Sequence, residues 1–348
     1  MPETLTSDSP APPLARIPLA PPVIRPVASQ EPRPQWSVMI PAYNCLPYLR
    51  ETLESVLTQA PGPAEMQIAV VDDASTDGDV AALVRAVGQG RVQYYQQPHN
   101  VGSLRNFETC LQRATGHWVH LLHGDDYVAP GFYAEIAALF GQYPAAGAAF
   151  TSTADVFMQP TGAEVRERPP IAPAAGIIED LLLRLALGQQ LETPSIVVKR
   201  SVYEQLGSFY AVHYGEDWEM WARIAAHFPV AYSPRCLARY RYINSTSISH
   251  RHIKTGQNIR DIATVIDLIN QYLPAEHRRR LRKSALRHYA TYCLSLVDDL
   301  YATDPAAART QLRGAVRISP HPGTIFWALK AYLKNLVGFK RATSAPQP

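Results

Sequence analysis

The sequence predicts an α/β protein with a mostly parallel central sheet flanked by helices and a helical C-terminal extension. Three observations predict it. Short apolar runs alternate with segments of helical periodicity from Trp36 to Phe140, acidic pairs stand where two of those runs stop, and beyond about Ser249 the periodicity is helical only. In such an alternation each crossover helix covers a sheet face, which aligns successive strands in parallel.

Residues 1–35 hold ten of the thirty prolines and no periodicity, and predict a disordered or polyproline-like leader. Folded sequence begins at Trp36. Residues 37–40 read as a buried strand, and Leu46, Leu49, Leu53, Val56 and Leu57 then recur at helical spacing. A second strand, 68–71, runs into Asp72-Asp73, and a helix carries Val80, Leu83, Val84 and Val87. A strand at 92–95 precedes a helix through Leu104, Phe107 and Leu111. The strand 118–122 runs straight into His123-Gly124-Asp125-Asp126, before a helix through Phe132, Ile136, Leu139 and Phe140. After Phe150 the alternation stops. Residues 160–175, rich in Pro and Ala, read as a loop, 178–187 as a helix and 195–198 as a strand. Gly215-Glu216-Asp217-Trp218 opens a helix with Trp218, Trp221 and Ile224 on one face. The remainder is helical and increasingly basic, as at Arg278-Arg279-Arg280.

Composition narrows the function classes. The net charge of +3 and the lack of an extended basic patch with interleaved aromatics in the first two thirds argue against nucleic acid. Cys45, Cys110, Cys236 and Cys293 lie far apart without a CxxC pair, so neither a zinc site nor a disulfide framework is indicated, and reduced thiols in a cytoplasmic protein are the simplest reading. No basic segment with an apolar core opens the sequence, and no window offers the roughly twenty apolar residues that span a bilayer.

The acidic pairs carry the chemistry. Adjacent carboxylates repel unless something cationic sits between them, and hard divalent ions prefer oxygen ligands. Ligands of open α/β sheets collect at the carboxyl ends of strands. The pairs therefore point to a divalent cation, Mn or Mg, and a phosphorylated ligand. Imidazole at His123 suits manganese better than magnesium, or bonds a ribose or the backbone instead.

Five segments in order, 37–44 (SVMIPAYN), 71–77 (VDDASTD), 100–106 (NVGSLRN), the HGDD element and 215–218 (GEDW), resemble the family 2 glycosyltransferases, which have the nucleotide-sugar-binding GT-A fold. The resemblance implies a catalytic domain at 36–250 and a helical, basic extension at 251–348. It implies an inverting enzyme that moves a sugar from a nucleotide diphosphate sugar to a hydroxyl of a glycan or lipid-linked acceptor in cell-surface polysaccharide assembly. By the same resemblance Pro41 and Tyr43 pack at the base. Asp73 accepts its imide N–H, which favours a UDP- or dTDP-linked donor. Arg105 meets base or phosphates, Asp125 the metal and ribose, Asp126 stands by as helper or cap, and Arg241 meets phosphate. Asp217 is the implied general base, with Glu216 orienting a neighbour. Many relatives carry Asp at position 123 and a His two residues after the arginine, where this chain has His123 and Ile243; His250 or His252 could supply that imidazole, or neither, and His250 could also join the metal. Two other readings stay open: a catalytically silent nucleotide-sugar-binding protein and a sugar nucleotidyltransferase.

Finally, residues 324–341 interleave Phe326, Trp327, Leu329, Leu333, Leu336, Val337 and Phe339 with Lys330, Lys334, Lys340 and Arg341. On a helix this is an apolar stripe with cationic rims, the pattern of a peripheral membrane contact or of a stripe that packs onto the protein itself.

Overall fold

A computed structural model describes residues 15–28, 32–159, 162–242 and 248–343. The side chains of residues 159, 248–250 and 336–343 fall outside that description, and with them the expectations placed on His250, Ile243, Lys340 and Arg341.

The first part of the chain runs β1 (Trp36–Ala42), α1 (Leu46–Leu57), β2 (Met66–Asp72), α2 (Val80–Gly88), β3 (Gln93–Gln96), α3 (Ser103–Arg113), β4 (Trp118–Leu121), β5 (Tyr127–Val128) and α4 (Phe132–Gln142). Then follow β6 (Ala148–Gln159), β7 (Gly162–Glu167), β8 (Gly176–Ile177), α5 (Leu181–Leu185), β9 (Ile196–Lys199), α6 (Arg200–Leu206), α7 (Glu216–His227) and β10 (Val230–Tyr242). The extension is α8 (Ile248–Thr255), α9 (Gln257–Tyr272), α10 (Ala275–Ser295), α11 (Val297–Thr303), α12 (Pro305–Ile318) and α13 (Pro322–Thr343).

All strands join one sheet, ordered β3-β2-β1-β4-β9-β6-β10-β5, with β7 added to β6 and β8 to β10. Parallel pairing runs from β3 to β4 and recurs between β6 and β10, while β9 lies antiparallel to both neighbours. The sheet is thus mixed in its second half, where βαβ alternation had stopped in the sequence. The β6–β7 hairpin occupies part of the expected 160–175 loop. Every residue of β7 is exposed, so it has no buried face to write an apolar alternation.

Side chains alternate across β1. Val38 and Ile40 join the cluster under α1, α2 and α4, whereas Met39 joins the opposite one, with α3, α5 and α7. That second cluster also takes Ile262, Val265, Ile266 and Ile269 of α9 and Leu281 and Ala285 of α10, so the extension shares a core with the sheet.

One expectation is corrected outright. Residues 15–28 form neither helix nor strand, as their prolines require, yet they are not a disordered leader. Ile24 is fully buried, and the carbonyls of Pro18 and Pro22 accept N–H groups from Ala211 at 2.9 Å and Ser208 at 2.8 Å. Gly207 makes this seat. It holds φ +77°, and a Cβ there would lie 2.8 Å from both Pro21 Cβ and the Pro22 carbonyl. Proline removes backbone donors but not acceptors, so a segment without secondary structure can still be bonded along its length.

Candidate active site

Strand order brings the sequence motifs together. β1 lies between β2 and β4, with Ala42 opposite Asp72 and Met39 opposite Leu121. Tyr43, Asp73 and the turn 123–126 therefore leave the sheet at one edge, where the strand order turns back and α/β sheets bind ligands. Pro41 is buried, and its carbonyl accepts the Gly124 N–H at 3.1 Å. A Cβ at Gly124 would come within 2.7 Å of Cys45 Sγ, so the close approach of this turn to β1 requires glycine. Tyr43 stands past the strand end, 43% exposed.

The two acidic pairs differ in their partners. Asp72 accepts from Ser75 N at 3.0 Å and Ser75 Oγ at 2.6 Å through one oxygen, and from Tyr94 Oη at 2.8 Å and Gln96 Nε2 at 3.3 Å through the other. Asp73 accepts from Val101 N at 2.7 Å, Gly102 N at 2.9 Å and Asn100 Nδ2 at 2.9 Å. Burial raises the Asp73 carboxyl above its ordinary range, and the two backbone donors oppose that.

Around the second pair, one Asp126 oxygen accepts Arg241 N at 2.8 Å. The other, Oδ2, is buried without a hydrogen-bond partner and faces His123 Nδ1 at 4.0 Å; His123 Nε2 is also buried and unpartnered. Ligand atoms of His123, Asp125 and Asp126 lie within 4.8 Å of one another. Burial, then Asp125, pushes Asp126 well above the carboxylate range, and burial pushes the His123 imidazole down. A buried carboxylate oxygen and a buried imidazole nitrogen, both unpartnered and on side chains whose ligand atoms cluster with Asp125, fit a divalent cation, with the imidazole favouring manganese. Asp126, expected as a helper or cap, thus belongs with Asp125 and His123 in the candidate metal set.

Asp217 lies in the first turn of α7, whose N-cap position is held by Gly215. Its carboxylate accepts from Gln189 Nε2 at 2.8 Å, with Thr193 Oγ1 at 3.5 Å. Burial and the nearby Glu192 raise its pKa to about 7, against the lowering pull of Trp218 N at 2.7 Å. Gln189 Nε2 also donates to Glu192 at 3.1 Å, which links Glu192 to Asp217, and the Glu192 charge adds to the upward push on Asp126. Burial and Asp217 raise Glu216 well above its ordinary range, and its carboxylate lies against the backbone N–H groups of Gly215 and of Glu216 itself.

Two arginines are engaged elsewhere than expected. Arg105 Nε donates to the Ala15 carbonyl at 2.9 Å and Nη1 to Glu108 at 2.7 Å. Arg241 is 5% exposed; it donates to the Asp125 carbonyl at 2.7 Å, pairs with Glu51 and lies over the rings of Tyr48 and Tyr127. It ties β10 to α1 and the acidic turn, while its buried Nε has no hydrogen-bond partner. Sequence reasoning missed Gln189, Glu192 and Arg168, which pairs with both Glu192 and Asp155 at 2.6 Å. They lie in stretches without periodicity or motif, and no local signal marks them.

Residues 37–174 match the family model described as glycosyl transferase family 2. An uncharacterized glycosyltransferase of Mycoplasma pneumoniae is 33% identical over 108 residues, 30% of this chain and 36% of that relative's length. The match thus spans about a third of that relative. Among solved structures, Staphylococcus aureus TarS 1-349 in complex with UDP-GlcNAc superposes with TM-score 0.64 at 15% identity, over 88% of this chain and 92% of that one. A mannosyltransferase from Pyrobaculum calidifontis, in complex with GDP-Man and Mn2+, gives TM-score 0.53 at 18% identity, over 92% and 90%. These likenesses establish the GT-A glycosyltransferase fold.

Proposed function

We propose that the protein is an inverting glycosyltransferase that moves a sugar from a nucleoside diphosphate sugar to a hydroxyl of a glycan or lipid-linked acceptor on the cytoplasmic side of a membrane. One observation carries this reading. Asp217, with a pKa of about 7, shares Glu192 with a turn whose buried Asp126 and His123 atoms lack partners. A base poised near neutral pH beside a candidate cation site meets the two needs of the reaction. Asp217 takes the proton of the acceptor hydroxyl, the oxygen bonds to the anomeric carbon, and the bond from that carbon to the diphosphate breaks. Gln189 and Thr193 hold the carboxylate for this step. Asp125, Asp126 and His123 would hold the cation, which neutralises charge on the leaving diphosphate. Asp73 and Tyr43 hold the base, and the UDP-GlcNAc bound to TarS and the GDP-Man bound to the mannosyltransferase support a nucleotide sugar as donor.

The amphipathic tail supports the membrane side of the proposal. Ala328 packs with Leu300 and Leu312, while Ile325, Phe326, Leu329, Tyr332 and Leu333 lie exposed along one arc of α13. Lys330 and Lys334 flank that arc, and residues 305–348 carry seven Lys and Arg without a single carboxylate. Lys334 pairs with Asp298 of α11 at 2.6 Å, and the cations left over beside the apolar face suit an anionic bilayer surface. Among the described residues no helix is long and apolar enough to cross a membrane.

The test is nucleotide release from a panel of nucleotide sugars. Asp217→Asn is expected to cut turnover at least about 100-fold with little change in nucleotide affinity; near wild-type turnover by that variant overturns the assignment.

A further inference from the structure

The segment 15–28, without helix or strand, delivers a cation to the donor end of the sheet. Arg16 Nη1 donates to the Asn100 carbonyl at 3.0 Å, and Nη2 to the Asn100 side-chain oxygen. The same Asn100 side chain donates to Asp73 at 2.9 Å. Asn100 is therefore a bridge between a guanidinium and the carboxylate that the donor reading gives to the base. The guanidinium also lies over Gly102, where a Cβ would stand 3.2 Å from Arg16 Nε, and the Gly102 N–H is itself a donor to Asp73.

This placement is held from both sides. Arg105 grips the Ala15 carbonyl at 2.9 Å. Downstream, the Val23 carbonyl accepts from Gln112 Nε2 at 2.7 Å, the Arg25 carbonyl accepts from Arg200 at 2.7 Å, and Ile24 sits in the core. Arg16 itself is exposed, and among the described residues no carboxylate lies in ion-pair range of it. A guanidinium has five N–H donors, and two are directed at Asn100, so others remain for a ligand.

We propose that Arg16 is a specificity-determining residue for the donor nucleobase, a hydrogen-bond donor beside the Asp73 acceptor, together complementary to the carbonyl and imide N–H edge of a uracil-type base. The proposal rests on the donor reading above. Uracil offers an N–H donor flanked by carbonyl acceptors, whereas cytosine offers an amino donor beside an unprotonated ring nitrogen, the reverse pattern. Arg105, expected at the base, serves instead as the latch that seats the arm.

Binding of UDP and of uridine to the full-length chain tests this, with wild type, Arg16→Ala and Arg16→Lys compared by calorimetry and ligand-observed NMR. Arg16→Ala is expected to weaken both ligands by about tenfold or more, the range for a hydrogen bond from a charged group, and Arg16→Lys to recover part of the loss. A loss confined to UDP places Arg16 at the diphosphate and overturns the base contact. Unchanged or tighter binding by Arg16→Ala also overturns it, the latter making the arm a cover over the site. If wild type binds none of UDP, CDP and GDP, the donor reading itself fails, a result distinct from equal UDP binding by wild type and Arg16→Ala.

Discussion

Asp72-Asp73 and Asp125-Asp126 are the same motif in sequence, each pair following a parallel strand at one edge of the sheet, and the fold treats them oppositely. Around the first pair the protein supplies the donors: four bonds to Asp72 and three to Asp73, from Ser75, Tyr94, Gln96, Asn100, Val101 and Gly102. Around the second it withholds them, leaving Asp126 Oδ2 and His123 Nε2 buried and unpartnered. A carboxylate pair becomes a structural network or a candidate cation site according to what surrounds it, because buried acceptors must be satisfied by the protein or by something bound.

Asp72→Ala breaks the comparison most severely. It leaves the half-buried Tyr94 and Ser75 and the exposed Gln96 without their acceptor and is expected to lower stability by about 1–2 kcal/mol, measured by urea unfolding. Equal stability of variant and wild type contradicts the network reading. Asp126→Asn is expected to behave oppositely, with the unfolding midpoint of the metal-free protein unchanged or raised, since the neutral amide keeps an acceptor for Arg241 N and removes a carboxylate that burial and Asp125 disfavour. A marked drop in midpoint places Asp126 with the structural pair.

The pH dependence sharpens the same contrast. The folded chain holds a proton on Asp126 above the ordinary carboxylate range, so the unfolded chain binds fewer protons there. Metal-free stability should therefore fall as pH rises from that range through the folded pKa of Asp126, and a divalent cation should flatten the fall. Turnover should climb roughly tenfold per pH unit below about 7 as Asp217 ionises, then level off. A rate independent of pH from 5 to 8 contradicts Asp217 as the base.

The smallest expected effect lies at the tail. Full-length protein should sediment with anionic liposomes in a salt-sensitive way, and Phe326→Ser with Leu333→Ser should reduce that several-fold without unfolding, since both side chains are exposed. Equal sedimentation of the two forms points to another contact.

The α/β architecture was legible because period-2 and period-3.6 patterns are local and β1 to α4 follow them closely. The acidic pairs, Tyr43 and Asp217 were legible as motif residues at element ends. What was not legible depends on partners distant in sequence. Val165 and its β7 neighbours bury no face, Pro18 and Pro22 bond Ala211 and Ser208 through carbonyls that composition cannot reveal, and Glu192 reaches Asp217 only through the fold. Arg105 and Arg241 show the converse: the motif is present, but the guanidinium is held by Ala15 and Glu108 in one case and by Glu51 and Asp125 in the other.

Manganese binding in the presence of UDP, followed by electron paramagnetic resonance, tests the contrast between the two acidic turns most directly. The account predicts that wild type and Asp72→Asn take up the ion, while Asp125→Ala and Asp126→Ala lose it. Manganese uptake by Asp125→Ala and Asp126→Ala equal to wild type, or none by wild type, would contradict it.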